Sequence, residues 1–337
     1  MKMKAAILKD IEKFEIEQAQ KPVIVNEDDI IVKVLVCSIC GTDVTFYRNP
    51  MSGYGDMRGR ILGHEIVGEV VEVGSGVTKF NVGDRIVCNP NSFCDRCDNC
   101  KAGYRNHCSN MELMGITSPG GFAEYTKTKE SLAYHISKDI PLNHAAFAEP
   151  LSCALNGFSR LDITPGDTCC VIGCGPIGLL FAQMAKANGA RVICIELKEK
   201  RIEIARKLGL EVLTPDTPEN IVKIFREKWG RRANYVIDAA GGQLQTAIQI
   251  AEFCGKILCF ASPRIVKEAN FGPIQSKELT IMGSFIIKDS MYRAITMLEN
   301  GYLNLDPIVT HVMPIEEINQ AMQLLMSGEG MEVILTI

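Results

Sequence analysis

The chain has 337 residues, 47% of them hydrophobic and 23% charged, with a formal net charge of −4. At roughly 150 residues per domain this length points to two domains, and the composition excludes a stapled mini-protein, a fibre and a disordered chain. Lys and Arg are scattered and aromatics are few, so no basic stripe marks nucleic acid as a partner.

From Met1 to Gln20 charged and apolar residues alternate, without the apolar core and cleavage site of a secretory signal, so the chain is expected to stay in the cytoplasm. Fourteen cysteines then point to metal binding, catalysis or core packing before disulfides. A strand-like run, Val34 to Ile39, leads into Cys40-Gly41-Thr42-Asp43. Ile61 to Cys88 reads as a compact, bulged antiparallel sheet, in which Val and Ile alternate against glycines around the turn Gly63-His64-Glu65. Asn89 to Asn110 is polar and nearly free of aliphatic residues, so something other than an apolar core must order it. Glu149-Pro150-Leu151-Ser152 follows.

From about Cys153 apolar strand-like runs alternate with helical segments, which reads as βαβ units on a parallel sheet. The predicted order is strand Thr168–Ile172, helix Ile177–Ala187, strand Arg191–Glu196, helix Lys200–Leu208, and strands Tyr235–Asp238, Lys256–Phe260 and Leu279–Phe285. Helices are predicted over Ser290–Asn300 and Ile315–Met326, before an apolar end at Val333–Ile337. Thr168 to Ala185 lacks any charge, as a membrane span would, but Pro176 and three glycines favour a buried strand turning into a helix.

Four constellations carry chemistry. Cys94, Cys97, Cys100 and Cys108 form a C-x2-C-x2-C-x7-C run inside the polar block, suited to a tetrahedral zinc that orders the loop. An iron–sulfur cluster or a disulfide pair is the competing reading. A closed set of four thiolates leaves no position open for catalysis. Cys40, His64, Glu65 and Glu149 offer thiolate, imidazole and carboxylate, an incomplete set that leaves room for water or substrate, as catalytic zinc requires. Cys37, three residues before Cys40, could instead make a C-x-x-C redox pair with it.

Gly173-Cys174-Gly175-Pro176-Ile177-Gly178 follows a predicted strand and opens a helix. Gly173 suits the tight turn, Gly175 lets backbone approach a pyrophosphate, and Gly178 lets helix and strand pack closely. Glu196 ends the next strand, where a carboxylate can take ribose hydroxyls and repel a 2′-phosphate, favouring NAD over NADP. Arg201 could lie against the adenine. The remaining cysteines sit in apolar runs and read as small buried hydrophobes.

Cys40-Gly-Thr-Asp, Gly63-His-Glu, the four-cysteine lobe and the Gly173 fingerprint, in this order and spacing, resemble the zinc-dependent medium-chain dehydrogenases over essentially the whole chain. Glu149-Pro150-Leu151-Ser152 resembles the polyol, sorbitol dehydrogenase-like branch, where ordinary alcohol dehydrogenases place a second cysteine. The resemblance implies an α/β protein. A GroES-like, mainly β catalytic domain would span 1–152 and 290–337, and a Rossmann domain with a doubly wound parallel sheet would span 153–289, with zinc and nicotinamide meeting in the cleft. It matches Cys40 and His64 to zinc ligands, Glu65 and Glu149 to the two carboxylates near the metal, Thr42 to the hydroxyl that takes the substrate proton, and Asp43 to the carboxylate that orients His64. Ile177, Glu196 and Arg201 match cofactor contacts.

Two departures stand out. Thr45 occupies the place of a proton-relay histidine, and Met331-Glu332 replaces a basic residue often found near the end. The expected activity is hydride transfer from a polyol or sugar alcohol to NAD, giving the ketose, with one catalytic and one structural zinc per chain, in a homodimer or homotetramer. A sugar-alcohol phosphate, threonine or a simple alcohol are the competing substrates, with Arg48, Arg58 and Arg60 as groups that could meet an anion. A non-catalytic cofactor-binding scaffold is the alternative from a different class.

Overall fold

The computed structural model describes residues 1–215, 217–261 and 269–337. The chain divides into two compact units, one of Met1–Ser152, Ile287–Gly301 and Val309–Ile337, the other of Cys153–Ile286 and Tyr302–Ile308.

The first unit opens with an antiparallel hairpin of Lys2–Asp10 and Lys13–Gln20. The charged and apolar alternation of this stretch is the period of a half-buried strand. Its main sheet among the described residues runs in the order Val309–Pro314, Glu332–Thr336, Asp29–Ser38, Glu65–Val73, Arg85–Cys88, Ala133–His135, and Tyr125–Lys129 also pairs with Asp29–Ser38. The C-terminal strand is thus an integral neighbour of Asp29–Ser38. Phe14, Tyr47 and Phe122 anchor the core: Phe14 stacks on Tyr47 at 5.4 Å and meets Phe122 edge-on at 6.1 Å.

The second unit holds a parallel sheet in the order Glu211–Leu213, Arg191–Ile195, Thr168–Ile172, Ala233–Asp238, Ala251–Cys259, Thr280–Gly283, six strands among the described residues. Every residue of Thr168–Ile172 is buried, as a central parallel strand covered on both faces requires. That burial explains the long uncharged stretch beginning at Thr168. Its helix, Pro176–Ala187, has 12 residues, and no helix among the described residues is long and apolar enough to cross a membrane. Helix Pro218–Trp229, which the sequence reading passed over, has a full set of end signals. Thr217 accepts the Asn220 amide, Pro218 occupies the first turn, and Gly230 closes the end at φ +72°. Phe225 and Ile221 join Val236, Ile193 and Ile257 in this unit's core.

Candidate active site and cofactor loop

Asp43 organises the first constellation. Strand Asp29–Ser38 ends just before Cys40, which caps helix Gly41–Arg48, and Asp43 sits in the first turn of that helix. Its carboxylate accepts the Cys40 amide at 3.0 Å through one oxygen and the Gly63 amide at 3.2 Å through the other. Two turns distant in sequence are thereby pinned to one buried side chain. Gly63 has φ +88°, and a side chain there would run into the Phe122 ring, so the turn carrying His64 demands glycine.

The result is a trio of Cys40, His64 and Glu65 whose ligand atoms lie within 4.8 Å of one another. His64 Nδ1 stands 3.7 Å from Asp43 Oδ1, beyond hydrogen-bond reach, and is a buried nitrogen without a partner. Glu65 is 3% exposed and its Oε2 also lacks a partner. Glu149, buried in helix Ala148–Phe158, acts electrostatically on all three members of the trio.

Burial, then Asp43 and Glu149, pushes the Cys40 thiol up to about 12. Burial likewise pushes Glu65 well above the usual carboxylate range, aided by Cys40, Glu332 and Glu149. Burial alone would lower His64, but Asp43, Glu149 and Glu65 raise it. A buried group of acids with unmatched donor atoms is an environment that a divalent cation satisfies, and thiolate, imidazole and carboxylate are a zinc donor set. These residues fit the metal.

The Thr42 amide and hydroxyl both act on the Cys40 sulfur. Thr45 is exposed and its hydroxyl donates to the Gly41 carbonyl at 2.9 Å. Cys37 is fully buried in the core, its thiol donates to the Ser38 carbonyl at 3.6 Å, and neither it nor Cys40 is in a disulfide. Of the arginines, Arg58 is clamped on Asp56 at 2.8 Å, while Arg60 donates to the Asp56 and Ile116 carbonyls.

In the polar block the four sulfurs of Cys94, Cys97, Cys100 and Cys108 lie within 4.8 Å of one another, and all four are free of disulfides. Zinc–sulfur bonds of about 2.3 Å place tetrahedral sulfurs about 3.8 Å apart, so the spacing suits one ion and is too tight for an iron–sulfur cluster. Backbone amides already point at the sulfurs, from Cys94 and Asn110 to Cys108 and from Cys97 to Cys94. The Asn110 side chain leads in drawing the Cys94 thiol down to about 5, with the Arg96 and Cys97 amides. His107 is exposed at the end of the short 3-10 helix Arg105–His107, next to Cys108.

In the second unit Gly173 turns at φ +97° against Ala240. A side-chain carbon on Gly178 would fall 1.9 Å from the Gly173 carbonyl oxygen, which fixes that position as glycine. Gly175 faces open space with only Arg201 Nη1 nearby at 3.8 Å, leaving room for a ligand, and Pro176 begins the helix at Gly175. Glu196 accepts the Cys174 amide at 2.9 Å and the Leu197 and Lys198 amides at 2.7 and 3.0 Å. Burial opposes its charge, but the Lys198, Cys174 and Leu197 amides and Arg201 hold its pKa below the usual range.

Two features gain from the structure a setting that the sequence did not show. Asp238 closes its strand and accepts the Ala240, Gly241 and Gln243 amides, fixing the turn that abuts Gly173. An Asp before Gly-Gly was the available signal. The other is Glu332, 6% exposed, which accepts the Ser38 hydroxyl. Burial pushes Glu332 up to about 7, with Glu149 adding to it.

Residues 26–138 match the alcohol dehydrogenase GroES-like domain and residues 176–300 match the zinc-binding dehydrogenase domain. D-arabinitol dehydrogenase 1 of Uromyces fabae is 32% identical, over 95% of this chain and 93% of its own length. Sorbitol dehydrogenase of Bacillus subtilis is likewise 32% identical, over 95% of this chain and 93% of its own. Among solved structures, an alcohol dehydrogenase from Escherichia coli CFT073 complexed with NADH superposes with a TM-score of 0.91 at 28% identity, covering 100% of this chain and 99% of that one. The chain belongs to the zinc-type alcohol dehydrogenase family and is an oxidoreductase, with the GroES-like and Rossmann domains of that family.

Proposed function

We propose that this chain oxidises a polyol or sugar alcohol to the ketose with NAD, at a zinc site built from Cys40, His64 and a carboxylate, Glu65 or Glu149. The observation that carries this reading is the buried trio with ligand atoms within 4.8 Å of one another, in which Glu65 Oε2 has no hydrogen-bond partner and His64 Nδ1 faces Asp43 at 3.7 Å. When bound, zinc supplies a Lewis acid that acidifies an alcohol hydroxyl, and NAD supplies the hydride acceptor.

The chain's own residues do the rest. Asp43 holds the Cys40 and Gly63 turns in register and faces the imidazole of His64. The Thr42 hydroxyl accepts the proton of the substrate hydroxyl and in the same step passes its own proton on to water. Thr45 offers no base and its hydroxyl is engaged with Gly41, so the proton leaves from Thr42 without a histidine relay. Glu65 and Glu149 bring carboxylate oxygens where a second thiolate would be softer, which favours oxygen-rich substrates such as a vicinal diol.

Gly173, Gly175 and Gly178 let backbone approach the pyrophosphate at the helix start formed by Pro176 and Ile177, and Arg201 lies where it can cover the adenine. Glu196 keeps one acceptor site on Oε2 for a ribose hydroxyl beyond its three amide bonds, and its charge opposes a 2′-phosphate. Cys94, Cys97, Cys100 and Cys108 hold a second, structural zinc. The engagement of Arg58 and Arg60 with Asp56 and backbone carbonyls favours an uncharged polyol over its phosphate ester.

Replacing Glu149 tests the assignment. Glu149→Ala is expected to lower kcat/KM for polyols by at least about tenfold in a folded, zinc-loaded protein. Undiminished polyol turnover would overturn the role given to this carboxylate.

A further inference from the structure

A cavity of about 250 Å³ lies beside the four-cysteine lobe, and every residue that lines it belongs to the first unit. It is smaller than the roughly 300–1,000 Å³ of sites for drug-sized molecules, which suits a small metabolite. Three asparagines on its walls, Asn89, Asn91 and Asn106, are buried. Asn89 Oδ1 accepts the Asn91 backbone amide at 3.0 Å, which leaves its NH2 group to donate. The Asn91 side-chain nitrogen is buried and has no hydrogen-bond partner among the described residues. The walls thus hold amide donors in want of an acceptor.

The charges point the same way. Three cations, Lys79, Arg105 and Lys288, and two carboxylates, Asp95 and Asp289, line the cavity. Both carboxylates are engaged by Arg105, Asp95 at 2.8 Å and Asp289 at 3.8 Å, and the guanidinium lies 4.7 Å from the centre of the Phe93 ring. Neither Lys79 nor Lys288 forms an ion pair among the described residues, and Lys288 lies over the Tyr104 ring at 5.2 Å. Glu130, the acid that Lys79 acts on, is bonded to the Thr78 and Lys79 amides.

We propose that this cavity binds a small hydroxylated monocarboxylate, the size of a sugar acid, with its carboxylate taken by Lys79 and Lys288 and its hydroxyls by the asparagine amides. An acceptor-rich anion answers both the ammonium charge and the amide donors. Asp95 and Asp289 stay on the wall, where they repel a second negative charge and accept hydroxyl protons. That sets a hydroxylated monoanion above a phosphate dianion. None of Cys40, His64, Glu65, Glu149 and the Gly173 loop lines this cavity, so it stands apart from the metal and nicotinamide sites and does not depend on the activity proposed for them.

The test is calorimetric titration of the full-length, zinc-loaded protein with four probes: gluconate, sorbitol as the same skeleton without the charge, acetate as the charge without the hydroxyls, and inorganic phosphate. Ser131, exposed on the cavity wall in the short 3-10 helix Glu130–Leu132, supplies the control. Ser131→Trp fills the cavity and keeps both lysines, and binding is assigned to the cavity only where this variant removes it. Gluconate is expected to bind there with a Kd at or below about 1 mM, and the other three probes at least about tenfold more weakly. Lys79→Met with Lys288→Met should weaken gluconate at least about tenfold in a protein that keeps its zinc content. Should that double variant not fold, Ser131→Trp and the order of the four probes decide. Gluconate binding that survives Ser131→Trp, or no gluconate binding at all, would overturn the site. Sorbitol, acetate or phosphate bound in the cavity as tightly as gluconate would overturn the ligand class.

Discussion

Single carboxylates do much of the local organising in this chain, and each does it by accepting backbone amides. Asp43 joins the Cys40 and Gly63 turns, Glu196 joins Cys174 to the start of the next helix, and Asp238 closes the turn beside Gly173. Asp29 shows the energetic side of the device. Burial opposes its charge, but the Asn26 and Val25 amides, Lys127 at 3.1 Å and the Asn26 side chain hold its pKa at about 2, below the ordinary 3.8. A carboxyl with a depressed folded pKa stabilises the fold above its unfolded pKa and loses that contribution as pH falls through the folded value. Stability should therefore fall between about pH 4 and pH 2 through this group. Asp29→Asn should cost about 1–3 kcal/mol at neutral pH and flatten that part of the acid profile, as read from urea midpoints across the range. An unchanged acid slope in the variant would contradict this account of Asp29.

Among the elements, those with strong local signals were legible in the sequence. The parallel strands at Thr168, Arg191 and Ala233 announce themselves by continuous burial-type runs, and the glycine fingerprint by its place between strand and helix. The polar block from Asn89 to Asn110 was legible in a different way, as a segment that lacks the means to order itself by apolar packing. Its observed order rests on amides directed at four converging sulfurs, with the Cys94 thiol already drawn down to about 5. Cys97→Ser should therefore release the block to proteolysis and lower its thermal midpoint while leaving the Cys40 site's metal content intact. Loss of turnover with an unchanged midpoint and an intact lobe would contradict a structural role. The amino-terminal hairpin carried a mixed signal, whereas helix Pro218–Trp229 had its full set of end signals and was passed over.

At the scale of the whole molecule, the pairings that matter most are those that no local pattern encodes. Glu332 looks, in sequence, like one acidic residue at the edge of an apolar C-terminal run. Only the pairing of that run with Asp29–Ser38 brings it to Ser38 and into line with Glu65. The same holds for Cys40 and Gly63, whose meeting depends on Asp43 reaching both. The candidate ligands were legible as residue types, whereas their environment, a group of buried acids with one base acting on it, is a product of sheet register. Family membership accounts for the chemistry this architecture supports.

The most direct measurement is NADH formation by the purified, zinc-loaded chain against sugar alcohols, their phosphate esters, threonine and simple alcohols, with NADP run in parallel. The account predicts turnover of a polyol bearing a vicinal diol with NAD, and weaker use of NADP. Turnover confined to a phosphate ester, threonine or a simple alcohol would contradict the substrate assignment, and no turnover across the panel with zinc and NAD both bound would contradict the catalytic account as a whole.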